Sequence, residues 1–278
     1  MHDSPPLSID SIRSQLTTRS VGRRIELHTQ IGSTNREAMA LAQAGAEHGT
    51  VVLADSQTDG RGRLSRRWFS PAGVNIYCSI IIRTSVASGR LAEWLSWLPL
   101  ITSLAAAEAI ESVASVRVSV KWPNDLLLAE RKAGGILCES GTGMTGPFQI
   151  IGVGLNVNAR RGDFAADLQD TATTIREETG RWTDRNQLLA AFFKELEECL
   201  EEFSSRGFER IGQAYQQRSA TIGKIVKTLL ADGKEFVGLA RAIGSDGSLT
   251  VIQRPVPSGG RLPEIRQLRA ADIIHLRI

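Results

Sequence analysis

The sequence predicts an α+β chain in two parts, with strands and helices mixed over residues 1–220 and a small all-β module over 221–278. Three observations lead to this. The 278 residues exceed the usual size of one domain. Over most of the length, short β-type runs are interleaved with segments whose apolar residues recur at helical spacing. Beyond about Thr221 the pattern changes to short alternating runs punctuated by Asp232-Gly233 and Asp246-Gly247, two strong hairpin signals.

In chain order, Arg24-Ile-Glu-Leu-His-Thr alternates as a strand does, and the stretch from Ser33 reads as a helix ended by Gly45. Thr50-Val-Val-Leu-Ala is a short buried strand, and Val74 to Arg83 is another. Between Arg90 and about Val113, Leu91, Trp94, Leu95, Leu98, Ile101 and Leu104 share a helical face, with Pro99 expected to kink or break it. Val116 onward gives a strand, a tight turn at Pro123-Asn-Asp and a second strand. Ala133-Gly-Gly-Ile-Leu and Gln149-Ile-Ile-Gly-Val-Gly continue the sheet, joined by a hairpin in the glycine-rich run 141–146. From Asp184 to Ser205, Leu188, Leu189, Phe192, Phe193, Leu196, Leu200 and Phe203 form one face of a core helix stopped by Gly207.

Composition narrows the function. With 33 basic and 30 acidic side chains the net charge is +3, far from the excess expected of a protein that coats nucleic acid. Any anion binding is therefore local. Cys78, Cys138 and Cys199 are widely separated, without metal-ligand spacing, and suit a reducing compartment better than a disulfide framework. The first twenty residues lack a signal-peptide core and no window holds 18 uninterrupted apolar residues, so a cytoplasmic chain without a membrane span is expected.

The chemistry concentrates in three places. In Gln57-Thr-Asp-Gly-Arg-Gly-Arg-Leu-Ser-Arg-Arg-Trp68, glycines at 60 and 62 free the backbone while Arg61 and Arg63 add planar, always-charged donors. Trp68 offers a flat apolar face for a ring. A solvated basic loop is the plainer reading of four arginines, but the Gly-Arg alternation favours an anion clamp, and no GxxxxGK[ST] phosphate loop is present. In Lys121-Trp-Pro-Asn-Asp125 the Asn and Asp can simply close a turn. Lys132 stands before a Gly-Gly pair, where a ligand can approach the backbone and an ammonium can meet a carboxylate or phosphate. Finally, Ser33-Thr34-Asn35 opens a helix, and Thr34 with Glu37 fits a capping box that also offers hydroxyls and free amides to a small polar ring.

Taken in order, GSTN, Q-x-x-GRGR-x-x-R-x-W-x-SP, KWPND-L, RK-x-GGIL-x-E and IGVGLNVN resemble the biotin protein ligases, from about residue 24 to the C-terminus. The resemblance implies a class II synthetase-like catalytic domain, with a mixed, mostly antiparallel sheet and helices, followed by a small SH3-like β-barrel. It implies two reactions: ATP and biotin give biotinyl-5′-AMP and pyrophosphate, with Mg2+ on the phosphates, and a lysine of a biotin carboxyl carrier protein then takes the biotin. It also implies roles. Ser33, Thr34 and Asn35 hold the ureido ring, Gln57 borders that pocket, and Arg61, Gly62 and Arg63 order over the ligand. Lys132 meets the biotin carboxylate and the α-phosphate, and Gly135 lets the ligand pass. Trp68, Asn156 and Arg269 serve the nucleotide. Only about two dozen residues precede the matching region, too few for the winged helix-turn-helix of the family's repressors, so no DNA regulation is expected; a homodimer is compatible with the family.

Overall fold

The structure is a computed structural model and describes residues 5–83, 90–229, 235–253, 264–269 and 272–275. The main sheet has seven strands: β1 (Ile25–Ile31), β2 (Val51–Gln57), β3 (Ile76–Ile82), β4 (Ser119–Lys121), β5 (Asp125–Leu128), β6 (Arg131–Gly143) and β7 (Gly146–Leu155), ordered β1-β2-β3-β7-β6-β5-β4. β1 and β2 run parallel and every other pair is antiparallel, so the sheet is mixed and mostly antiparallel. Among the described residues six α-helices accompany it: α1 (Ile9–Arg13), α2 (Thr34–Gln43), α3 (Leu91–Ala114), α4 (Ile175–Thr179), α5 (Arg185–Arg206) and α6 (Glu209–Arg218). A second sheet of five antiparallel strands holds β8 (Ile225–Leu229), β9 (Glu235–Ile243), β10 (Leu249–Gln253), β11 (Ile265–Leu268) and β12 (Asp272–His275), ordered β11-β10-β9-β8-β12.

Strand alternation decides what lies on each face. Ile76, Cys78, Ile80 and Ile82 of β3 join Ile151, Val153 and Leu155 of β7 in a core shared with α3 and α5. The intervening Ile81 and Ile150 pack instead with Val52, Phe148 and the alanines of α2. Thus α2 covers one face while the long helices cover the other. α3 has the length and composition to cross a membrane, but Trp94, Trp97, Leu98, Ile101 and Leu104 are buried in this core, where Trp97 meets Phe203 of α5 at 5.7 Å. Pro99, expected to kink or break α3, does not break it: the helix runs on from Leu91 to Ala114. Burial on several sides outweighs the single hydrogen bond that proline removes.

The turn expected at Asp246-Gly247 links β9 to β10, with Gly247 at φ +75° and the Asp246 carboxylate accepting from Ser248. The other signal, Asp232-Gly233, lies outside the described residues. Indole N–H groups from α3 and from the turn after β4 reach the β9–β10 turn: Trp97 donates to the Ser245 carbonyl at 2.7 Å and Trp122 to that of Gly247 at 3.2 Å.

Buried Glu197 and half-buried His275 make stability depend on pH. Burial works against the charge of Glu197, but donors from Arg19, Ser20 and Val21 outweigh it and hold the carboxyl below its ordinary 4.5. That stabilisation is present above pH 4.5 and is lost as pH falls through the lower folded value. His275 is pushed down from 6.5 to about 4, first by burial and then by Lys121 and Lys224, so the unfolded chain binds its proton first. Stability therefore also declines between pH 6.5 and 4. Denaturant midpoints measured against pH are expected to fall across this range, with His275→Asn flattening the upper part and Glu197→Gln only the acidic end.

Candidate active site

The candidate site lies on the face that α2 covers, beyond the N-terminus of that helix. Strand alternation floors it with Ser79 of β3, Gly135, Leu137 and Glu139 of β6, and Gly152 and Gly154 of β7. Small residues here make room for what stands above. A methyl at 152 would fall 2.0 Å from Asn35 Oδ1, and one at 154 would fall 2.6 Å from the Trp68 indole.

Ser33, Thr34 and Asn35 are all buried at the start of α2. The capping box expected of Thr34 and Glu37 is not formed: Ser33 occupies the N-cap and makes no side-chain cap, while Thr34 is already helical. Gln57 takes over the capping, its Oε1 accepting from Thr34 N at 2.9 Å and from Thr34 Oγ1 at 3.2 Å. The Gln57 amide then donates to Ser70 Oγ, whose hydroxyl donates to the Trp68 carbonyl. Asn35 is committed to the protein. Its Oδ1 accepts from Ser79 at 2.6 Å, and its Nδ2 donates to the Leu137 carbonyl and, at 2.7 Å, to Glu139. In this arrangement Asn35 braces the cradle, and Ser33 and Thr34 are the groups beside it.

The arginine loop is a folded miniature hairpin. Arg61 bridges Arg67, Gly62 N donates to the Arg66 carbonyl at 2.7 Å, and Trp68 N donates to the Gly60 carbonyl at 2.8 Å. Leu64 and Ser65 at its tip have φ of 53° and 57°. Arg61 pairs with Glu139 at 3.3 Å, and Arg63 donates to Asn124 Oδ1 at 3.0 Å. Arg63 lines both a cavity of about 670 Å³ inside the loop and one of about 240 Å³ bounded by the Lys121–Asp125 turn and Ile273 and Ile274 of β12.

Lys132 Nζ is 2.6 Å from Asp125 and 5.5 Å from the centre of the Trp68 ring, with Gly135 alongside. Asn124 holds Arg63 and Asp125 holds Lys132, so adjacent turn residues each anchor one of the two cations. The sequence treats that Asn-Asp pair as a turn closure; its side chains also bond two of the expected site residues. Two other expected residues stand differently. Asn156 is buried and donates to the carbonyls of Thr173 and Lys132, bracing the Lys132 backbone. Arg269 pairs with Asp246 on the β9–β10 turn and lines neither cavity.

The Trp68 indole N–H is buried without an acceptor among the described residues, so this ring is held by shape, between Lys132 and the Gly135 and Gly154 floor. Gly154→Ala should overpack it and cost about 1–3 kcal/mol. At Gly162, where an added methyl meets nothing within 4 Å, the same change should stay within about 0.5 kcal/mol. Equilibrium unfolding of both variants checks the contrast.

A braced polar cradle, a cationic loop and a lysine beside a glycine floor thus stand together on a mixed sheet, an arrangement suited to a small ligand with an anionic group. The chain belongs to the biotin/lipoate A/B protein ligase family, whose model matches residues 26–156. It is 34% identical to the biotin--[acetyl-CoA-carboxylase] ligase of Mycobacterium tuberculosis, over 98% of this chain and 97% of that protein. It is 32% identical to the bifunctional ligase/repressor BirA of Bacillus subtilis, over 87% of this chain and 74% of that one. Among solved structures, the biotin protein ligase of Aquifex aeolicus in complex with biotin and ATP superposes with a TM-score of 0.75 at 26% identity, covering 91% of this chain and all of that one. The Leishmania major biotin protein ligase in complex with biotinyl-5-AMP gives 0.60 at 26% identity, over 89% and 99%.

Proposed function

We propose that this protein is a biotin protein ligase that activates biotin with ATP and passes it to a lysine of a biotin carboxyl carrier protein. In the first step a biotin carboxylate oxygen attacks the α-phosphorus, the bond to the β-phosphate breaks and pyrophosphate leaves. In the second the carrier's lysine amine attacks the acyl carbon and AMP leaves. The carboxylate is already ionised at neutral pH, so the first step needs alignment and charge neutralisation rather than a base.

The observation that carries this reading is the anchoring of Lys132 and Arg63 by the neighbouring turn residues Asp125 and Asn124, on the same chain that opens the polar cradle at Ser33. Ser33, Thr34 and Asn35 would hold the ureido ring, with Gln57, which caps Thr34, bordering that pocket. Arg61, Gly62 and Arg63 would cover the ligand. Lys132 would bridge the carboxylate and the α-phosphate while Gly135 gives clearance. Trp68 would wall the nucleotide side, Asn156 would act there by bracing the Lys132 backbone, and Arg269 would reach the nucleotide from the second sheet. Mg2+ would arrive with the ATP phosphates and share the neutralisation of their charge. Residues 1–220 would form the catalytic domain and 221–278 the smaller one. The free thiols Cys78, Cys138 and Cys199 and the need for ATP suit the cytoplasm.

The family also embraces lipoate ligases, so one experiment should offer both acids. The protein is mixed with ATP, Mg2+, a carrier domain and either biotin or lipoate, and the carrier is weighed. A carrier heavier by one biotinyl group supports the proposal; modification with lipoate alone would replace it.

A further inference from the structure

We propose that Glu139 is a positioning residue that couples the cradle to the arginine loop, fixing Asn35 from below and holding the loop over the site through Arg61. It rests on the reading of this face as the biotin site. The carboxylate serves two distant segments at once: Oε2 accepts from Asn35 Nδ2 at 2.7 Å and lies 3.3 Å from Arg61 Nη2, while Oε1 lies 3.4 Å from the same nitrogen.

Each contact answers a local need. Asn35 can present its oxygen to Ser79 only while its amide hydrogens face acceptors, and Glu139 with the Leu137 carbonyl supplies them. The base of the loop is tied down by the Thr58 and Asp59 amides, which donate to the Ile31 and Gly32 carbonyls, but glycines flank Arg61 on both sides, so the arm beyond that base relies on side chains to hold its tilt against the sheet. Arg61 reaches down to β6 and supplies one such hold, as Arg63 does at Asn124. Its charge is thereby engaged by the protein's own anion, which divides the labour of the Gly-Arg-Gly-Arg run: Arg61 places the loop, and Arg63 with Lys132 meets the ligand's developing charge. Because Glu139 also sets Asn35, placement of the loop and order in the cradle are linked through one side chain.

Substitutions separate the two contacts. Glu139→Gln keeps an acceptor for Asn35 and removes the charge facing Arg61; Glu139→Ala removes both. Trypsin cleaves after arginine, so the rate of cutting within 61–67 of the full-length, unliganded protein reads the loop directly, with thermal unfolding as a check on the fold. Glu139→Gln is expected to be cut about fivefold faster than wild type, a ratio in keeping with a partly exposed ion pair. Adding Glu139→Gln to Arg61→Ala, cutting being followed at Arg63 to Arg67, should have little further effect. With ligands, KM for biotin should rise about fivefold or more in Glu139→Ala while KM for ATP changes less than about twofold. A wild-type cutting rate in Glu139→Gln, or effects that add with Arg61→Ala, overturns the proposal. The proteolysis uses no biotin, so a failure of the biotin reading would show separately, as absent biotin-dependent turnover in the wild type.

Discussion

Lys132→Ala is expected to lower biotin-dependent pyrophosphate release from ATP about 10²–10³-fold, the usual loss when one preorganised donor to a developing charge is removed. The expectation follows from how firmly this lysine is mounted. Its backbone N–H donates to the Thr171 carbonyl at 2.8 Å, and its carbonyl accepts from Thr173 N at 2.9 Å and from Asn156. Its ammonium is parked between the Asp125 carboxylate and the face of Trp68. The group is therefore in place before any ligand arrives, and reorganisation at the moment of reaction is small. Lys132→Arg should not restore the rate, because a planar guanidinium cannot replace a compact ammonium in a slot bounded by Gly135 and the indole. The side chain is partly exposed, so the fold should survive and thermal unfolding should change little. Pyrophosphate release at the wild-type rate would remove Lys132 from the role assigned to it.

The contrast between Lys132 and its partner Asp125 shows what could be read from the sequence. Lys132 stands out because a Gly-Gly pair follows it, a local signal. Asp125 carries an equally plausible local explanation as a turn residue, and its meaning appears only when β5 pairs with β6 across a register shift. Ser79 and Gly152 are similar: their partners in α2 are 44 or more positions away, and nothing short of the strand pairing shows that they face the same side. Long periodic elements such as α3 and α5 were legible because the core demands a wide apolar stripe. Helix α6 was not, since it is short and begins at Phe208 without a side-chain cap. At Pro99 and at the Thr34-Glu37 pair a sound local rule was overridden, in one case by burial and in the other by Gln57 arriving from a neighbouring strand.

Gly152→Ala should be the more damaging of the two floor substitutions, abolishing measurable biotin-dependent turnover at ordinary biotin concentrations. An added Cβ would lie 2.0 Å from Asn35 Oδ1 and 2.7 Å from its Cγ, distances real side chains do not tolerate. Neither party can yield cheaply. Gly152 sits in the middle of β7, paired to Ser79 on one side and Leu137 on the other, so its backbone cannot withdraw without breaking ladder bonds. Asn35 can move only by giving up Ser79, Leu137 and Glu139 together, leaving buried polar groups unpaired at roughly 1–3 kcal/mol each. The strain then falls on Asn35 and Thr34, groups that would hold the ureido ring, and on Gln57, which caps Thr34. Isothermal titration with biotin and urea unfolding measure the two consequences. Loss of affinity with stability lowered by about 3 kcal/mol or more, beyond the loss in Gly154→Ala, is the expected pair. Near-normal biotin affinity in Gly152→Ala would mean that the order of Asn35 does not govern the cradle.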